Sequence, residues 1–207
     1  MKIRSLILLV LLLGYLGLAT AQSPYPGYFG RHAMPSQMVD PGPVLILKEG
    51  LKKLVAFVSA DPRPNRAQAV AFLERSIVPY FDFNYMARWA AGARAWERMG
   101  EAQQNQLKNH IKQDFLATLA TRLTGFGEQK VEVERPRRAG DNEVVVGAII
   151  LNAGAYPARL NFRFYRSGEG WKVFDVAANG SSAVMHYRQQ FRRMMLRGAG
   201  RPQAIRR

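Results

Sequence analysis

The residues best suited to chemistry are Asp175, Ser181, Ser182 and His186, which lie close together and include the types of a hydrolytic triad. A serine becomes a nucleophile when a base takes its proton and a strained turn presents its oxygen. No Gly-x-Ser-x-Gly pattern surrounds either serine. Helix capping accounts for both more simply. The histidines His32, His110 and His186 stand apart. His110 and Asp114 are spaced to share one helical face, but two ligands do not make a zinc site. Cysteine is absent, which removes thiol nucleophiles, thiolate metal sites and disulfides together. Gly125-x-Gly127 reads as a helix stop, not a phosphate loop.

Three features call for another kind of chemistry. Pro79-Tyr80-Phe81-Asp82-Phe83-Asn84-Tyr85-Met86 concentrates aromatic and apolar residues. Later strands present large apolar side chains opposite a helix with its own apolar stripe. The chain then closes on Arg188, Arg192, Arg193, Arg197, Arg201, Arg206 and Arg207, with no acid after Asp175.

The elements that position these residues follow from periodicity. Leu47, Leu51, Leu54, Val55 and Val58 mark one face of a helix that Asp61-Pro62-Arg63-Pro64 ends. Asn65 is placed to cap a second helix with Ala69, Val70, Leu73 and Ile77 inward, and Asp82 a third, through Phe83, Met86 and Trp89. From Glu101 to Leu123, Leu107, Ile111, Phe115, Leu119 and Leu123 recur on what reads as a surface helix. The period then drops to two. Val131 and Val133 alternate with Glu132 and Glu134, and Val144–Leu151 reads as a strand covered on both sides. Ala158, Leu160, Phe162 and Phe164 alternate with Arg159, Asn161, Arg163 and Tyr165, predicting one dry face and one wet. Ser167–Gly170 turns into Trp171–Val176, and a last helix carries Val184, Tyr187, Phe191 and Met194 on one side. Helices, then an antiparallel meander, then a closing helix predict an α+β domain.

The N-terminus assigns a compartment. Lys2 and Arg4 precede an apolar run, Leu6–Leu18, and Ala19-Thr20-Ala21 offers the small-x-small pattern of a signal-peptidase site. The run is shorter than the ~20 residues of a transmembrane helix. The expected organisation is a signal peptide over 1–21, a Pro/Gly-rich flexible linker over 22–43, one domain over 44–197 and a basic disordered tail over 198–207. The formal charge of +15 would suggest nucleic acid in the cytosol. For an exported chain, an anionic membrane surface is the partner such charge fits, and nucleic acid is not.

Pro79-Tyr-Phe-Asp-Phe-Asn-Tyr-Met-Ala-Arg88 resembles the signature of the MlaC (toluene-tolerance) family of periplasmic phospholipid-binding proteins. Trp171-Lys-Val-Phe-Asp-Val176 with Tyr187-Arg-Gln-Gln-Phe191 is similar to its C-terminal signature. The resemblance covers roughly Leu45 to Leu196. Where members carry Val-Glu-Gly-Val-Ser, this chain has Ala178-Asn179-Gly180-Ser181-Ser182. It implies a nuclear-transport-factor-like fold, with helices packed on a curved antiparallel sheet that encloses an apolar lipid cavity. The implied function is carriage of phospholipid, or of another envelope lipid such as a hopanoid, without catalysis and without a cofactor or metal. Membrane docking without a ligand is the alternative. The implied partners are an inner-membrane ABC transporter with its lipid-binding ring protein and an outer-membrane lipoprotein–porin complex, served by a monomer.

The helical residues expected to line the cavity are Val78, Phe81, Phe83, Met86 and Trp89, then Phe115, Leu119 and Leu123, with Val184 and Tyr187 from the last helix. The strands are expected to add Val146, Ile149, Leu160, Phe162, Phe164 and Val173. Arg188, Arg192, Arg193 and Arg197 are expected to meet the membrane or a partner.

Overall fold

The computed structural model describes residues 39–123, 130–151 and 156–199. The expected signal peptide, the linker up to residue 38 and the tail beyond Ala199 lie outside the described residues. No helix among the described residues is long and apolar enough to cross a membrane.

Helix α1 (Gly42–Val58) begins inside the segment expected as linker. Pro43 occupies its first turn, where the missing N–H of proline leaves nothing unpaired, and the Asp40 carboxylate accepts the Gly42 amide at 2.8 Å. α2 (Arg66–Ser76) starts on the expected Asn65, which exchanges bonds with Gln68 in a capping box. Pro79 falls in a single 3₁₀ turn, Val78–Tyr80. α3 (Phe83–Ala91) then starts on Asp82, whose Oδ1 accepts the Tyr85 amide at 2.8 Å. A short helix not legible in the sequence, α4 (Ala93–Arg98), follows Gly92, whose φ of 81° and ψ of 151° suit glycine alone. α5 (Glu101–Leu123) is the longest helix and α6 (Ala183–Ala199) closes the domain.

Between α5 and α6 lie β1 (Lys130–Val133), β2 (Arg137–Gly140), β3 (Glu143–Leu151), β4 (Ala158–Ser167), β5 (Gly170–Ala178) and β6 (Ser181–Ser182). They form one antiparallel sheet in the order β1-β3-β4-β5-β6, with β2 following β1 along the same edge of β3. The β4–β5 register shifts between Arg163, which faces Asp175, and Phe164, which faces Val173. Phe174 is the extra residue of this bulge, and a bulge bends and twists the strand that carries it. The fold is the α+β arrangement of helices on an antiparallel sheet.

Three apolar clusters hold the layers. One face of the sheet gives Val144, Val146, Ala148, Phe164 and Val173 to a cluster with Leu47 of α1. The other face gives Phe174 to a cluster with α3, α5 and α6, including Met86, Ile111, Val184 and Tyr187. Ala69, Leu73, Ile77, Leu116, Ala120 and Leu123 join α2 to the end of α5.

Two expectations are corrected. The buried residues of α5 are Leu107, Ile111, Leu116, Ala120 and Leu123, leaving Phe115 and Leu119 half-buried. A strict spacing of four drifts about 40° per step round a helix of 3.6 residues per turn, so no straight stripe of fours stays inward. α5 instead serves one cluster with its first half and another with its second. The second correction concerns β4. On the expected dry face Ala158 and Phe164 are buried but Leu160 and Phe162 only partly so, and the face expected to be wet is exposed at Arg159 but partly buried at Asn161, Arg163 and Tyr165.

Candidate functional site

Phe81 stands where the three clusters meet and packs against each. Its backbone bridges Val173 on β5, and the next amide, Asp82 N–H, donates to the Val173 carbonyl at 2.9 Å. Its ring lies 5.1 Å from that of Phe115 and 5.8 Å from that of Phe83. Asp82 fixes the turn further, because its second carboxylate oxygen accepts the Tyr165 hydroxyl. Burial first and the Asp82 carboxylate second push the Tyr165 phenol well above its ordinary range, so it stays a proton donor.

From Phe81, half-buried hydrocarbon extends in two directions. Val44, Ile46 and Leu51 of α1 pack on the sheet cluster, as do Val131, Val133, Leu160, Phe162 and Val176. Leu54, Phe57 and Val58 of the same helix, with Phe115 and Leu119 of α5, pack on the cluster of α2. α1 thus carries both sets, and together they make an apolar seam that the fold assembles without covering completely. Side chains of this kind hold alkyl chains by dispersion and exclusion of water. They offer no group to make or break a bond.

Polar ties hold α1 over the seam. Asp40 Oδ2 accepts the Trp171 indole N–H at 3.0 Å, with Arg166 at 3.5 Å. The Trp171 bond first, then the Gly42 amide, hold the Asp40 carboxyl below its usual range. Farther along, Lys53 donates to the Tyr80 hydroxyl at 2.6 Å and pairs with Glu49 at 2.8 Å.

The opposite face of the sheet packs through an aromatic and cationic layer. The Tyr165 ring stacks on Tyr85 at 4.0 Å, and the Arg163 guanidinium lies 4.7 Å from the Phe174 ring and 5.4 Å from that of Trp89. Arg163 also bonds Glu143 at 2.9 Å. Tyr187 donates to Asp114 at 3.1 Å, and burial with that carboxylate raises its phenol far above the ordinary range.

The structure therefore divides the expected cavity residues. Val78, Phe81, Phe115, Leu119 and Leu123 gather around the α2 cluster, and Val146, Leu160, Phe162, Phe164 and Val173 around the sheet cluster. Phe164 and Val146 are fully buried there, as floor beneath the seam. Phe83, Met86, Trp89, Val184 and Tyr187 belong to the closed cluster on the other face. Ile149 is separated from Val146 by an odd number of positions, which turns the two to opposite faces of β3, and it joins none of the three clusters. Leu51, Leu54, Val131, Val133 and Val176 are seam residues that the cavity expectation missed. The period-two and helical patterns mark them as apolar, but which layer each meets depends on tertiary packing.

Ser182 and Asp175 cap the start of the last helix, and His186 stands apart from them. Ser182 donates to Asp175 at 2.7 Å and accepts the Met185 amide at 3.1 Å, and Asp175 also accepts the Val184 amide at 3.1 Å. His186 bonds Gln190 at 2.9 Å instead. Among the described residues no group of three or more His, Asp or Glu side chains is placed to hold a metal. Arg188 turns inward and donates to the Trp89 carbonyl from Nε at 3.2 Å and Nη2 at 2.5 Å. Arg192 and Arg193 are exposed, and the Arg197 side chain lies outside the described residues.

The chain is similar to known proteins in fold and in sequence. The phospholipid-binding protein of Ralstonia solanacearum, solved in complex with a phospholipid, superposes with a TM-score of 0.68 at 28% identity, covering 75% of this chain and 88% of that one. The intermembrane phospholipid transport system binding protein MlaC of Haemophilus influenzae is 24% identical over 160 residues, 71% of this chain and 72% of that protein. The family described as MlaC protein matches residues 50–206, from the middle of α1 past the end of α6, and this chain belongs to that family.

Proposed function

We propose that the protein is a periplasmic carrier that holds a phospholipid by its acyl chains in the seam under α1 and shuttles it between the outer and inner membranes. The observation that carries this reading is the band of partly buried apolar side chains between α1 and the sheet, Leu160 and Phe162 with Leu51 and Phe81. The phospholipid held by the Ralstonia solanacearum relative and the transport role in the name of the Haemophilus influenzae relative support it. Each methylene kept from water is worth ~0.8 kcal/mol, so two tails of about 15 methylenes would cost ~24 kcal/mol bare. A dry container makes the crossing feasible. Because the seam need only match the bilayer, loading and unloading are nearly isoenergetic and require neither a catalytic residue nor a cofactor.

In this reading the signal peptide is removed after Ala21, and the mature protein exchanges lipid with an ABC transporter and its ring protein on one side and a lipoprotein–porin complex on the other. The test is transfer of fluorescent phospholipid between donor and acceptor vesicles by the chain beginning at Gln22. Transfer proportional to protein concentration is expected, and a rate equal to that without protein would refute the proposal.

A further inference from the structure

Among the described residues, helix α6 packs on the domain through its first part. Val184, Tyr187 and Phe191 are buried, and Arg188 is fastened to the Trp89 carbonyl. Past Phe191 the helix emerges. Arg192 and Arg193 are exposed, and so are Met194 at 48%, Met195 at 58% and Leu196 at 74%. Successive residues step about 100° round a helix, so these five encircle it and leave no face for the domain. Neither arginine has an ion-pair partner among the described residues.

Exposed apolar side chains among unpaired cations fit the interfacial zone of an anionic bilayer, where hydrocarbon enters the acyl boundary and guanidinium groups meet phosphates. We infer that the emerging end of α6 is a membrane-surface anchor. It inserts Met194, Met195 and Leu196 among the upper acyl segments while Arg192 and Arg193 bind lipid phosphates. A second copy of this chain is the poorer occupant, because the apolar groups encircle the helix and do not form one flat face. Two chains of formal charge +15 also repel each other. The inference rests on the carrier reading, since it supplies the contact through which cargo and bilayer approach.

The chain has no cysteine, so Leu196→Cys accepts an environment-sensitive dye at a single position. With vesicles of phosphatidylethanolamine and phosphatidylglycerol, the dye emission should shift to the blue and be quenched by acyl-chain quenchers. Arg192→Gln with Arg193→Gln should weaken vesicle binding roughly 30-fold at low salt. Met195→Ser with Leu196→Ser should abolish the part of binding that persists in high salt, where charge is screened. A dye that stays in water while protein sediments with vesicles would overturn the anchor. So would binding indifferent to both double variants, or a blue shift without vesicles that accompanies a dimer. Phospholipid extracted from the same preparations separates the two proposals. Lipid-loaded protein with a wet dye sinks the anchor alone, whereas parent protein with no lipid sinks the carrier.

Discussion

One sheet has two faces built to different ends. Against α3 and α6, Phe174 and Met86 are fully buried, and partly buried Arg163 and Tyr165 each have a partner for the polar end. Against α1, Leu160 and Phe162 have nothing polar to satisfy and still remain half-buried. The face that looks wet in sequence carries fully buried Phe174, and the face that looks dry keeps partly buried Leu160 and Phe162 beside fully buried Phe164 and Val146. Hydrophobicity fixes which side chains favour burial, but the covering element decides whether they achieve it. Partly buried apolar positions remain where the covering helix does not seal the face beneath it.

The largest expected effect tests the closed side. Phe174→Ala should cost about 3–5 kcal/mol of stability in urea unfolding, as removal of a fully buried aromatic does. Phe162→Ala on the α1 side should cost less, about 2 kcal/mol, since its side chain is only partly buried. Equal losses would erase the distinction between the faces.

Next in size is the effect of charge in the seam. Phe162→Arg or Leu119→Arg should leave a folded protein by circular dichroism, because a partly exposed position lets the guanidinium reach water and a fully buried one does not. Most co-purified lipid should be lost. Unfolding of both variants would mean that the seam is ordinary core.

A smaller effect belongs to the start of α6. Ser182→Ala removes the bond to the Met185 amide and the donor to buried Asp175, and should cost about 1 kcal/mol. Lipid transfer at a temperature where the variant is folded should be unchanged. Transfer that collapsed with stability intact would give Ser182 a role beyond capping.

The smallest effect is the acid response of the tie at α1. The Asp40 carboxyl is held below its ordinary range, chiefly by the Trp171 bond. A group with a depressed folded pKa contributes stability above its unfolded value and loses it as pH falls through the folded one. The Trp171 indole N–H resonance should therefore be constant above about pH 4 and shift on further acidification, and Asp40→Asn should flatten that response. An indole shift in the neutral range would assign the tie to another group.

Much of the fold was legible. The caps at Asn65 and Asp82, the extent of α5 and the Ser167–Gly170 turn rest on local chemistry that a sequence displays directly. What could not be read depends on layers that meet only in three dimensions. Arg163 looks like a solvated strand residue until the Trp89 and Phe174 rings supply its bed. Met86 and Phe81 are neighbours in an aromatic motif, yet one is sealed in the closed cluster and the other joins all three. Arg188 shares a helix with Arg192 but lies opposite the carbonyl end of α3, and that contact draws it inward. Half-burial itself leaves no periodic trace, so the seam was expected as a cavity from the family likeness and located only by the packing.

The central claim is that the half-covered face holds phospholipid. Its most direct test is mass spectrometry of an organic extract from purified protein, with Phe162→Arg prepared in parallel. About one phospholipid per chain is predicted for the parent and little for the variant. Parent protein free of phospholipid, or a folded variant with an undiminished load, would contradict it.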